Sequence, residues 1–121
     1  MDAVIAWQRV WVEGASMTPT LLAGDWLLVR HGAQVVPGAI VLAEFRSEPG
    51  LLVLKRVTGE RAGGWWLASD NARVGSDSRQ YGVADVHAVV VWQWCRGPGR
   101  RASWRSRWLG RRPPAAPPDG L

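Results

Sequence analysis

The chain contains few of the residues on which several common kinds of site depend. Its 121 residues include one cysteine, Cys95, which excludes an internal disulfide and favours a reducing compartment. The two histidines, His31 and His87, have no carboxylate at a spacing typical of a catalytic triad, and with Cys95 they do not suggest a metal site. We therefore expect neither a metal nor another cofactor.

Long apolar runs are also absent. No stretch approaches the roughly 18 apolar residues that a transmembrane helix needs. The first residues, MDAVIAWQRVWVEG, lack the basic region followed by an apolar region that marks a signal peptide. We expect a cytoplasmic protein without a transmembrane segment.

The positive charge lies at one end of the chain. The net charge is +5, yet residues 1–95 carry eight Lys and Arg against nine Asp and Glu, and seven arginines follow Cys95. A near-neutral domain argues against a nucleic-acid partner. We predict a domain at 1–96 and a disordered tail at 97–121 that is dispensable for folding. Its alternating arginine and tryptophan would suit weak contact with an anionic membrane surface.

The apolar residues are arranged as in short strands. Alternating or β-branched runs bounded by Gly, Pro and polar turns predict six strands, within 9–14, 26–32, 39–45, 51–59, 63–69 and 83–94. One helical turn is expected in PTLLAGD, from Pro19 to Asp25. The segment DNARVGSDSRQYG reads as a long ordered loop. The predicted class is all-β, with mostly antiparallel strands.

Lys55 is the single lysine among 15 cationic residues. Strand alternation would place it on one face with Leu51, Val53 and Val57, and such apolar surroundings lower the pKa of a lysine. Lysine, unlike arginine, can then act as a base. The ordinary alternative is a lysine at a strand end whose amine extends into water.

Ser16 is the candidate nucleophile. It lies between a predicted strand end and the predicted helical turn, where unpaired backbone N–H groups can face a developing oxyanion. A serine in a loop is otherwise a common turn former. The residues alone leave both alternatives open.

Three segments resemble the boxes of the signal peptidase I family of serine-lysine proteases, in the same order. They are GASMTPTLLAGD for the nucleophile, LKRVTG for the lysine, and SDNARVGSDSRQYG for the last box. The resemblance implies the β-rich catalytic domain of that family, with Ser16 as nucleophile and Lys55 as general base. It also implies that the Ser16 N–H binds the oxyanion, and that Met17 and Pro19 shape the turn and the substrate cleft.

The last box implies supporting roles and contains one of two departures from the family pattern. Resemblance assigns an ion pair to Asp77 and Arg79, and loop anchoring to Asp70 and Asn71. Many members of the family carry a second oxyanion donor two residues before the nucleophile, where this chain has Gly14. Members usually also carry a serine that binds the lysine amine, at the position where this chain has Gly75. Two alternatives therefore stay open for the group that orients Lys55: the hydroxyl of Ser76 or Ser78, or else water or a backbone group.

A short chain with these boxes resembles in particular the maturation proteases of nickel-type superoxide dismutase. This resemblance implies an endopeptidase that removes an N-terminal leader from the dismutase precursor, bound as an extended peptide. The alternatives are a soluble processing peptidase for another precursor, an inactive peptidase-like module that binds peptides, and the self-cleaving domain of a stress repressor. The last is disfavoured because no DNA-binding domain precedes Ser16 and no cleavage loop is evident.

Overall fold

The computed structural model describes residues 6–74, 76–96 and 104–109. The described elements are β1 (Trp7–Trp11), β2 (Trp26–His31), β3 (Ile40–Phe45), β4 (Leu52–Arg61), β5 (Gly64–Ala68), α1 (Ser78–Tyr81), β6 (Ala84–Arg96) and β7 (Trp104–Trp108). The predicted all-β class is confirmed. Each of the six predicted strands has a counterpart, β1 to β6.

The strands form one antiparallel sheet around β6. Their order is β1-β2-β6-β3-β4-β5, with β7 also paired to β6. A further pairing of Trp65 with Ala84 joins β5 back to β6. The β3–β4–β5 part of the sheet therefore curls over, and β1 and β4 come to border a common cleft.

The central strands are buried on both faces. In β2, Leu27 and Val29 belong to one apolar cluster, called here the first apolar cluster, and Leu28 belongs to a second. This division is expected because successive side chains of a strand point to opposite faces. The same alternation divides β3 and β6 between the two clusters. This two-sided burial explains why these strands are nearly continuous apolar runs in the sequence.

The helical segment lies elsewhere than predicted. Residues 16–20 form turns, and the N–H of Leu21 donates to the carbonyl of Met17 at 2.9 Å. The four-residue helix α1 instead lies within the segment predicted as a loop. Asp77 caps α1 by accepting the N–H of Arg79, and Gly82, with φ of 81°, ends it. No helix in the described ranges is long and apolar enough to cross a membrane.

Residues 104–109, which lie within the predicted tail, take part in the sheet. Strand β7 pairs with the end of β6, in register from Trp92 opposite Trp108 to Arg96 opposite Trp104. The N–H of Leu109 donates to Val91 O at 2.9 Å, and Leu109 packs against the first apolar cluster. The main-chain groups at the end of β6 are satisfied by this pairing, which an arginine-rich composition does not reveal.

Candidate active site

Lys55 lies in β4 and is 3% exposed. It is paired across the sheet with Val41 of β3, and the next residue on its face, Val57, is fully buried. Burial lowers the pKa of Lys55, while the nearby carboxylate of Asp77 opposes that shift. Leu51, which was predicted to help bury the lysine, precedes the strand and is 54% exposed. Burial within the sheet therefore favours a neutral amine.

Ser16 lies at the start of the turn segment that follows β1. It is half-buried, whereas the next residue, Met17, is buried in the first apolar cluster and fixes the turn to the core. The N–H of Ser16 donates no hydrogen bond to any of the residues that the structure describes. That donor is therefore available to an oxyanion.

The loop after β5 holds the Ser16 turn. The N–H of Asn71 donates to Ser16 O at 2.9 Å, and its side-chain amide donates to Ala15 O at 2.9 Å and to the Thr18 hydroxyl at 3.0 Å. These three bonds fix the backbone on both sides of the candidate nucleophile.

Asp70 joins the same loop to the lysine strand. Its two carboxylate oxygens accept from Nε and Nη2 of Arg56, both at 2.8 Å, and it also accepts from the hydroxyl of Thr20. The hydrogen bond with Arg56 holds the pKa of Asp70 below its ordinary value. Arg56 and Thr20 were not among the predicted site residues, although the position of Arg56 beside Lys55 was a signal for it.

Asp77 and Arg79 form an ion pair, with 3.1 Å between Nε of Arg79 and Oδ1 of Asp77. Burial raises the pKa of Asp77, but hydrogen bonds from Arg79 and from the N–H of Ser69 outweigh it, so the pKa is lowered. The buried hydroxyl of Ser78 accepts the N–H of Leu67 at 2.7 Å and so ties α1 to β5. Asp77 thus remains an anion whose charge acts on the candidate base.

Ser16 and Lys55 line the same cleft, which has a volume of about 460 Å³. Its wall includes residues of β1 and the segment after it, Gly14 and Met17, and the first residues of β4. The described residues thus bring a hydroxyl and a buried amine into one cavity. That combination is what nucleophilic catalysis with a lysine base requires.

Other predicted site residues lie in different settings. Pro19 is exposed in the turn and does not line the cleft. Gly14 has a φ of 76°, a conformation that L side chains rarely adopt, which gives a physical reason for glycine at the place of a second oxyanion donor. Ser76 is half-buried, and the prediction about Gly75 lies outside the described residues.

The two histidines lie outside the cleft wall. Nε2 of His31 is 2.7 Å from Oε1 of Gln8, and Nε2 of His87 is 3.0 Å from Oε1 of Glu44. Lys55 is therefore better placed than either histidine to act as a base for Ser16.

Comparison with protein families gives a match over most of this architecture. The model described as Peptidase S24-like matches residues 8–91, which include Ser16, Lys55 and the loop from Ser69 to Gly82. The match supports the predicted peptidase at the level of an S24 or signal peptidase-like group of serine-type enzymes. No curated protein matched the chain. With well over half of its length covered, the chain belongs to the Peptidase S24-like family.

Proposed function

We propose that this chain is an endopeptidase in which Ser16 is the nucleophile and Lys55 the general base. The observation that carries the proposal is that Ser16 and a buried lysine with a lowered pKa line one cleft. Membership of a peptidase family supports a protease-like function independently.

The proposed reaction uses groups already placed at the cleft. Neutral Lys55 takes the proton from Ser16 Oγ as that oxygen bonds to the scissile carbonyl carbon. The oxyanion accepts a hydrogen bond from the Ser16 N–H. Collapse breaks the C–N bond, and the Lys55 ammonium returns its proton to the leaving amine. Water then hydrolyses the acyl ester, again with Lys55 as base, and regenerates the Ser16 hydroxyl.

The cleft suits an extended peptide. On one side is β1, which within the described residues pairs only with β2, and on the other is the start of β4, where pairing with β5 begins at Arg56. Both strand edges therefore have main-chain groups available to a substrate strand. Leu52 and Trp11 line the cleft at 55% and 46% exposure and offer apolar contacts.

For the substrate, we propose the N-terminal leader of a nickel superoxide dismutase precursor, cut immediately before the His-Cys of the mature protein in the cytoplasm. The support is the resemblance of the three boxes at Ser16, Lys55 and Asp77 to that group of proteases. Small residues are expected just upstream of the cut, because the same resemblance implies them.

The test is cleavage of that precursor by the purified protein, with the new N-terminus read by mass spectrometry. Ser16→Ala and Lys55→Arg should each lower kcat by about 10²- to 10⁴-fold. The arginine keeps the charge but cannot accept a proton. His87→Ala, which removes a titratable side chain outside the cleft wall, is the matched control and should keep full activity.

Two results would contradict the proposal. A folded Lys55→Arg variant with wild-type turnover would place the base elsewhere. If the dismutase precursor stays intact while another leader peptide is cleaved, the proposed substrate is wrong and the proposed mechanism still holds.

A further inference from the structure

Ser69, the residue after β5, has a buried hydroxyl that finds no hydrogen-bond partner among the described residues. Leaving a buried hydroxyl unpaired costs about 1–3 kcal/mol, so such a group calls for an explanation. A serine at this place has no recognisable signal in the sequence, because serine is common where strands end.

Ser69 follows directly after the first paired residues of β4 and β5, and extending their register by one residue sets it across from Lys55. Arg56 pairs with Ala68, and Val57 pairs with Leu67, so one further step in the same register sets Ser69 opposite Lys55. Directly opposed residues of an antiparallel pair extend from the same face, with Cβ atoms about 4.5–5.5 Å apart. That face is buried, since Val57 and Leu67 are each 1% exposed.

A hydrogen bond joins Ser69 to a carboxylate that also acts on the lysine. Its N–H donates to Oδ2 of Asp77 at 3.3 Å. The same carboxylate acts electrostatically on Lys55, and it is the charged group that does so in the described part of the chain. Ser69 and Lys55 thus share Asp77 as a neighbour.

We propose that Ser69 is the positioning residue for the Lys55 amine, with its Oγ accepting a hydrogen bond from Nζ. This inference rests on the proposed serine-lysine mechanism and adds the group that directs the base. A neutral amine has two N–H donors and one lone pair. When Ser69 accepts one N–H, the lone pair is left to face Ser16.

The serines first expected in this role are less suitable. Ser78 Oγ already accepts the N–H of Leu67 at 2.7 Å. Ser76 lies beyond Asp70 and Asn71 in the loop, out of the β4–β5 register that aligns Ser69 with Lys55.

The single lysine makes a direct test available. In protein labelled with ¹³C at lysine Cε, one signal reports the titration of Lys55. Ser69→Ala should shift that titration to lower pH, because the lost acceptor stabilises the ammonium more than the neutral amine. It should also lower kcat by about ten- to a hundredfold with little change in KM. Ser69→Thr, which keeps the hydroxyl, should restore both values towards the wild type.

The matched control is Thr58→Ala. Thr58 also lies in the β4–β5 hairpin, is exposed, and donates its hydroxyl to Trp66 O at 3.1 Å. Its loss should leave the Lys55 titration and kcat unchanged. An unshifted lysine signal in Ser69→Ala overturns the inference, whether or not the protein is a protease. A shifted lysine signal in Ser69→Ala, together with a wild-type protein that cuts no peptide, would instead support the contact and reject the proposed function.

Discussion

Two opposing influences act on the pKa of Lys55. Burial in the sheet lowers its pKa, and the carboxylate of Asp77 raises it. Arg79 pairs with that carboxylate and offsets part of its negative charge. The Asp77–Arg79 pair therefore anchors α1 and also limits how strongly a buried anion holds the proton on the proposed base.

The buried amine should make stability depend on pH. The folded-state pKa of Lys55 is below its ordinary value of 10.5, so between these two values the unfolded chain binds a proton that the folded chain lacks. The free energy of unfolding of the wild type should therefore rise with pH across this window. Lys55→Met lacks this titration and should be the more stable protein at neutral pH, by on the order of 1 kcal/mol.

The measurement is urea unfolding of both proteins from about pH 7 to about pH 10. The difference in the free energy of unfolding between Lys55→Met and the wild type should shrink as pH approaches 10.5. Lys55→Met should have no detectable turnover throughout. A stability difference that stays constant with pH would show that the amine titrates normally in the folded protein.

At the scale of elements, the candidate site depends on one loop. The proposed nucleophile, Ser16, follows β1 and the proposed base, Lys55, lies in β4. The loop after β5 connects these two regions through Asn71 to the Ser16 turn and through Asp70 to Arg56. These contacts join residues that are far apart in the sequence, and together they fix the relative position of the Ser16 turn and β4.

Asn71→Ala tests this connection. It removes the side-chain bonds to Ala15 O and Thr18 Oγ1, together with the bond that Oδ1 accepts from the Arg73 N–H at 3.0 Å, and leaves the backbone bond to Ser16 O. We expect a loss of about 1–2 kcal/mol in stability and roughly ten- to a hundredfold in kcat, because the proposed nucleophile, Ser16, is less well positioned. Arg73→Ala, an exposed side chain in the same loop, should change neither. Full activity in a folded Asn71→Ala variant would show that the side-chain clamp is not needed.

The sequence predicted elements best where apolar residues dominate. β2, β3 and β6 contribute to the apolar clusters on both faces of the sheet and stand out in the sequence as apolar runs. Helix α1 was missed because four residues are too few to show a helical period, although Asp77 before Ser-Arg-Gln is a recognisable cap signal. Within the site, the boxes pointed to Ser16 and Lys55, whereas the alignment of Ser69 with Lys55 requires the strand register.

At the scale of the whole molecule, the segment beyond the predicted domain takes part in the fold. β7 covers the end of β6 by main-chain pairing, and Leu109 packs against the cluster that also contains Met17. The cluster that receives Leu109 therefore also fixes the turn of the candidate nucleophile. A change at residues 104–109 can reach the site through this shared packing.

Truncation is the corresponding test, and its expected result differs from the one suggested by composition. A chain ending at Gly97 loses the β6–β7 pairing and the packing of Leu109, so its thermal midpoint should fall by several degrees, equivalent to about 1–3 kcal/mol. A chain ending at Leu109 keeps β7 and is the matched control, with an unchanged midpoint. Leu109→Ala in the full chain should lose part of the same stability, because only the apolar contact is removed. If the chain ending at Gly97 unfolds at the wild-type temperature, β7 contributes nothing to stability, and residues 97–121 are as dispensable as their composition predicts.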